Sequence, residues 1–136
     1  MEWSMIMMHD FRVFTGWGIY KVEALVILTG PDLVVIFGGG EKYHIGASAL
    51  SIPRESFASK NSPSASASVL CVTGHKDDEL ARAAALKLAA KYSCTVNVIV
   101  GLHINRATIE DIDQLVDCFY DCLSLIERRL DEHFNQ

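Results

Sequence analysis

Apolar positions in the first half of the chain recur with the contiguous or two-residue spacing of strands. Phe11 to Phe14 and Tyr20 to Leu28 are rich in β-branched and aromatic residues, and Gly16-Trp17-Gly18 interrupts them. Thr29-Gly30-Pro31-Asp32 is a turn signal. Leu33 to Phe37 is apolar throughout, which predicts a central strand buried on both faces. Gly38-Gly39-Gly40 ends it, and Tyr43 to Ile52 resumes as a strand that carries His44. The short connections predict an antiparallel meander. Residues 53–68, rich in Ser, Ala and Pro and without a period, predict a long mobile loop of the kind that serves as a lid or a partner-binding segment.

The second half changes period. Val69 to Thr73 predicts a buried strand and Thr95 to Val100 another. Between them a helix starts near Lys76. Its first turn holds Asp77, Asp78 and Glu79, where negative charge meets the positive helix end, and Leu80, Ala81, Ala84, Ala85 and Leu88 share one face. A right-handed crossover is expected for two parallel strands joined in this way. Thr108 to Leu130 predicts a closing helix, opened by a Thr108–Asp111 capping box. Ile109, Ile112, Val116, Phe119, Leu123, Ile126 and Leu130 form a sustained seam, and Leu115, Cys118, Cys122 and Leu125 a second stripe. One stripe can cover the sheet. The other calls for a partner, for which a homodimer is the commonest solution. The expected fold is a single α/β domain over residues 1–136: an antiparallel β-meander, then a β-α-β-α unit, in a mixed sheet packed by two main helices.

Bulk properties narrow the function. A chain of 136 residues suits one domain with a real core. The net charge of -5 gives no footprint for a phosphate backbone, so nucleic acid is not an expected partner. Cys71, Cys94, Cys118 and Cys122 form no CxxC pair, which points to a reducing cytoplasm. The first residues lack the charge and apolar core of a signal peptide, and no apolar run is long enough for a bilayer, so no membrane role is expected.

The candidate chemistry lies in three histidines, His44, His75 and His103, each within two residues of a glycine. If the strands before and after the first helix are parallel, His75 and His103 emerge at one sheet edge, the carboxyl ends where open α/β sheets bind ligands. Three converging imidazoles suit Zn²⁺, Fe²⁺ or a similar ion with a position left open, and Asp77 is a possible fourth ligand or a partner that orients a ring. Ordinary hydrogen-bonding roles for the three rings stay open beside this. Gly74 to Lys76 opens a helix, where free N–H groups and the Lys76 ammonium attract a phosphate. Gly39 and Gly40 allow close approach of backbone to a ligand, without a nucleotide-binding pattern. No serine, cysteine or lysine is flanked as a nucleophile.

The blocks HIGA (44–47), VTGHKDDELA (72–81) and GLHINRATIEDI (101–112) together resemble the small accessory protein of prenylated-flavin-dependent, UbiD-type aromatic acid decarboxylases. In gallate, vanillate and hydroxybenzoate decarboxylase systems that protein is a prenylated flavin chaperone-like domain, similar in fold to proteasome assembly chaperones. The resemblance implies a non-catalytic protein that holds prenylated FMN and delivers it to the large decarboxylase subunit. His44, His75 and His103 fall in the three blocks, which implies a divalent metal (Zn, Fe or Mn). Gly39, Gly40, Gly74 and Lys76 would then face the phosphate, and Trp17 or Tyr43 the ring. Where the family's third block favours an acidic residue, this chain has Asn105. A proteasome-chaperone-like scaffold and a small metal-dependent enzyme are the competing readings.

Overall fold

The structure, a computed structural model, describes residues 7–56, 63–72 and 77–134. The elements are β1 (Met8–Thr15), β2 (Val22–Thr29), β3 (Asp32–Gly40), β4 (Ala47–Glu55), β5 (Pro63–Cys71), α1 (Asp77–Tyr92), β6 (Val96–His103) and α2 (Ile109–Phe134). The six strands form one open mixed sheet in the order β1-β2-β3-β6-β4-β5. The fold is the expected single α/β unit with two helices on a mixed sheet.

Three local expectations are corrected. The meander holds for β1, β2 and β3, but β6 inserts beside β3 as its parallel neighbour and separates it from β4. Most of the supposed loop at 53–68 is a hairpin: Pro53 to Glu55 extend β4, and Pro63 to Ser68 begin β5, with Pro53 opposite Ala65 and Glu55 opposite Pro63. Residues 57–62 of the expected loop lie outside the described residues. The strand foreseen from Tyr43 starts only at Ala47, so His44 sits in the β3–β4 connection. Since β5 and β6 both run antiparallel to β4, they run the same way, as the edge argument required, though they are not neighbours.

Register explains which face is covered. Val13, Ala24, Phe37, Val100 and Ala47 form one row across the sheet, and the rows beneath it hold Val26, Val35, Val98 and Ala49; all are buried. Both helices pack on this face. Helix α1 lies over β4, β5 and β6 through Ala81, Ala84, Ala85, Leu88 and Ala89, all fully buried. Alanine at the contact lets the helix axis come close to the sheet. Helix α2 lies over β1 and β2, and the Phe119 ring meets Phe37 with centroids 4.4 Å apart. Its start is the foreseen box: Thr108 N–H donates to Asp111 Oδ2 at 3.0 Å and Asp111 N–H to Thr108 Oγ1 at 3.1 Å. The two helices join through the largely buried Glu127, which meets Lys87 at 3.2 Å and Lys91 at 3.6 Å.

The second α2 stripe does not call for a partner after all. Leu115 and Cys122 of that stripe are buried along with Phe119, Leu123, Ile126 and Leu130, so the chain's own sheet covers most of both stripes. Among the described residues, no helix packs on the opposite sheet face. It presents Leu25, Ile27, Val34, Ile36, Ile99, Leu50, Ile52 and Leu70, of which Leu50, Ile52 and Leu70 are about half exposed or more. All four cysteines are free, and burial pushes the Cys94 thiol to about 11 and Cys122 to about 12, so both remain neutral. Among the described residues, no helix is long and apolar enough to cross a membrane.

Candidate functional site

One end of the sheet gathers the polar residues singled out above. β3 stops there at Gly40 and β6 at His103; β4 begins there at Ala47, and α1 at Asp77. The β3–β4 connection folds back across this end, over the uncovered face. Two glycines make room. A Cβ on Gly38 would stand 2.7 Å from the Tyr43 ring, and a Cβ on Gly101 would fall on the His44 carbonyl group. Gly40, at φ +78°, makes the turn that starts the connection, with a Cβ position occupied by the His103 carbonyl. The turn is held by the Glu41 N–H, which donates to His103 O at 2.7 Å, and the Asn105 N–H, which donates to Glu41 Oε1 at 2.9 Å.

This folding brings His44 to His103. Their rings stand edge to face with centroids 6.1 Å apart. Asp77 joins them from the first residue of α1. It is buried, accepts the Leu102 N–H at Oδ1 (3.3 Å), and places Oδ2 3.8 Å from His44 Nε2. A Cβ on Gly46 would strike the Asp77 carboxylate, so the glycine of the HIGA block is the space that the carboxylate fills. His44 Nε2 is also 3.4 Å from the Leu102 carbonyl oxygen, and His103 Nε2 is 2.9 Å from Asn105 Oδ1. The asparagine therefore holds the His103 ring. Gly39 packs tightly, its Cβ position 2.7 Å from the Lys21 carbonyl oxygen and 2.9 Å from Leu102 Cδ2. Gly74, His75 and Lys76 lie outside the described residues.

Two imidazoles and a carboxylate are a donor set that zinc and non-haem iron both accept. The His44–Asp77 separation is about 0.4 Å wider than that of two ligands on one tetrahedral zinc. Among the described residues, no group of three or more His, Cys, Asp or Glu side chains is close enough as it stands to hold an ion. The donor types suit a metal, but the described residues do not assemble a metal-binding group, and His75 lies outside them.

Two hollows flank this end. A cavity of about 170 Å³ on the uncovered face is bounded by Arg12, Glu23, Leu25, Ile36, Tyr43 and His44. Tyr43 donates to Glu23 Oε1 at 3.1 Å; burial and that carboxylate push its pKa up and keep it a donor. A larger cavity of about 320 Å³ lies between the β1–β2 connection and α2, against Trp17, Ile19, Tyr20, Gln114 and Cys118. Trp17 was legible as an aromatic beside glycines. Ile19, Gln114 and Cys118 were not, because the cavity exists only where a connection and a distant helix meet. Tyr20 donates to Asp111 Oδ1 at 2.6 Å and so pins that connection to the start of α2. This bond raises the Tyr20 pKa and lowers that of Asp111.

Residues 16–131 match the family model of the prenylated flavin chaperone LpdD-like domain. The chain is similar in structure to a chain from a chaperone complex for yeast 20S proteasome assembly, with a TM-score of 0.60 at 12% sequence identity, covering 90% of this chain and 98% of that one. At that identity the likeness speaks of fold. No curated protein sequence matches the chain.

Proposed function

Because this chain belongs to the family of prenylated flavin chaperone LpdD-like domains, we propose that it is a non-catalytic carrier of prenylated FMN that passes the cofactor to a UbiD-type aromatic acid decarboxylase. The observation that carries the reading is the meeting of His44, His103 and Asp77 at one end of the sheet, from three parts of the chain. His44, His75 and His103 would hold a divalent metal, and Asp77 would orient the His44 ring. Such a metal would supply an open coordination position for the anionic cofactor. Lys76 and the amides at Gly74 would meet the phosphate, with Gly39 and Gly40 shaping the floor beside His103. No residue here is assigned a bond-making step.

The test is co-expression with a flavin prenyltransferase, followed by measurement of flavin absorbance and metal content in the purified protein. Wild type should carry both. A His44→Ala, His103→Ala double variant should fold and lose at least tenfold in each, since direct ligands matter no less than the outer partners whose loss costs about 10–100-fold. Wild-type protein without flavin or metal would leave the scaffold reading. Metal without affinity for any flavin would favour a small metal-dependent enzyme.

The reading includes a homodimer joined across the uncovered sheet face. Six strands about 4.8 Å apart and eight residues deep span roughly 700 Å², close to the ~800 Å² per partner of a standard interface. Charged residues of that face, Asp10, Arg12, Glu23, Asp32 and Arg54, stand at its border, and the centre is Leu25, Ile27, Val34, Ile36, Ile99 and Leu50 around the polar Asn97, whose Oδ1 accepts from Ser48 Oγ at 3.2 Å. A two-fold axis would therefore bring no like charges together at the middle. Sedimentation equilibrium should return twice the 15.0 kDa chain mass for wild type and the single mass for Ile36→Asp with Leu50→Asp. A wild-type monomer at tens of micromolar would refute this arrangement.

A further inference from the structure

We infer that the 320 Å³ cavity between the β1–β2 connection and α2 is the seat of the flavin's planar ring system, with Trp17 as the stacking surface. This rests on the flavin-carrier reading and adds where the ring lies.

The cavity has the size and character of a small-molecule site, apolar with a few polar handles. Its lining is largely apolar and open to solvent: Trp17 is 86% exposed and Ile19 42%. Large apolar side chains clustered in the open beside a hollow mark a binding site more often than a bare surface. An exposed indole next to a planar heterocycle gains a stack at little entropic cost. Gln114 brings an amide, which both donates and accepts, as the pyrimidine edge of a flavin requires.

The walls are fixed before any ligand arrives. Thr15 donates to the Cys118 carbonyl at 2.6 Å, and Tyr20 is bonded to Asp111. Gly16, at φ +70°, has no room for a side chain, since a Cβ would stand 2.7 Å from the Tyr20 carbonyl oxygen and 2.9 Å from Cys118 Sγ. Burial and nearby carboxylates raise the Cys118 thiol, which keeps this wall uncharged. A preformed wall spares the ordering cost of closing around a ligand.

The position suits the rest of the cofactor. The cavity opens at the same end of the sheet as the histidines. Lys21, the residue after Tyr20, accepts the Gly40 N–H at 3.0 Å, and Gly40 abuts the His103 carbonyl. From β2 across β3 to β6 is two strand spacings, about 10 Å. The arm and phosphate of a flavin mononucleotide seated in the cavity would run along this end of the sheet toward His44, His103 and the start of α1.

The chain has two tryptophans, Trp3 and Trp17, so Trp3→Phe leaves Trp17 as the sole indole. Full-length protein in that background is titrated with oxidised FMN and with prenylated FMN. Bound flavin is read by equilibrium dialysis and Trp17 by its fluorescence. Saturable quenching should share its midpoint with the dialysis curve. Trp17→Ala should weaken binding about tenfold or more, the size of one aromatic stack, and Trp17→Phe should recover most of it. Its exposure makes Trp17 dispensable for folding, and a thermal melt checks this. Flavin bound at full affinity by Trp17→Ala, without quenching in the parent, would overturn the placement and leave the carrier reading standing. No flavin bound by the parent protein would overturn both.

Discussion

Phe119→Ala should lower the unfolding free energy by about 3–5 kcal/mol, the usual cost of removing a buried aromatic ring. Phe119 is fully buried in the middle of α2, and its ring lies against Phe37 of β3. It is the contact through which α2 closes over the β1–β3 side of the sheet. Alanine would lose the transfer energy of the ring and leave a hollow that Phe37, itself held between β2 and β6, cannot fill. For a domain of this length the midpoint of thermal unfolding should fall by roughly 10–20 °C. Since domains of this kind hold only about 5–15 kcal/mol in total, the variant should be close to the edge of folding at 37 °C. Ile109→Ala is the matched control. It belongs to the same seven-residue seam in the sequence, yet Ile109 is 75% exposed, so its cost should stay within about 0.5 kcal/mol. Urea unfolding of the two variants measures the difference. Equal losses would mean that α2 does not dock as described.

The contrast between Phe119 and Ile109 also shows what the sequence can and cannot say. Periodicity marks the residues that share a helix face, but not how far along the helix the sheet reaches. The strands of β2 and β3 were legible because their apolar runs are long and bounded by glycine and proline turns, but β3 is buried on one face only, with Ile36 on the uncovered side, and not on both as its unbroken apolar run suggests. Of β5 only the end from Val69 was legible; Pro63 to Ser68 was not, for a physical reason. Its alternation is Ala65, Ala67, Val69 toward α1 against Ser64, Ser66, Ser68 away from it. Alanine and serine differ too little in hydropathy to look like a strand. The alanine face of α1 is what makes such small residues sufficient, and Ser51, fully buried, is satisfied by donating to Ser66 O at 3.0 Å. The insertion of β6 between β3 and β4 has no local signal either, because it pairs Leu33 with Val96 and Ala47 with Val100. The site follows the same division. Glycines next to histidines were visible, and the structure gives them a steric purpose. The rings of His44 and His103 stand 6.1 Å apart because the β3–β4 connection starts at Gly40, which lies opposite His103, and no local pattern in the sequence carries that pairing.

Gly101→Ala should damage fold and site together, and so separates the two. The glycine lies in β6 opposite Gly38, and the added methyl would fall on the carbonyl carbon and oxygen of His44. Those are backbone atoms, so no side-chain rotation relieves the contact. Either β6 shifts within a six-stranded sheet or the 43–46 segment lifts off it. Lifting is the cheaper course, because that segment is a connection. Overpacking of this sort costs about 1–3 kcal/mol and more where backbone must move. The lift carries the His44 ring away from His103 and Asp77, and breaks the bond by which Gly46 N–H donates to Val100 O at 2.9 Å. Flavin and metal retention should then fall as far as in the double histidine variant, although every candidate ligand is still present. His44→Ala alone should lose binding with its melting point nearly unchanged, since the side chain is removed and the backbone stays seated. A Gly101→Ala protein with wild-type stability and wild-type cofactor content would show that the β3–β4 connection does not lie across the end of β6. The carrier site would then have to be built from other residues.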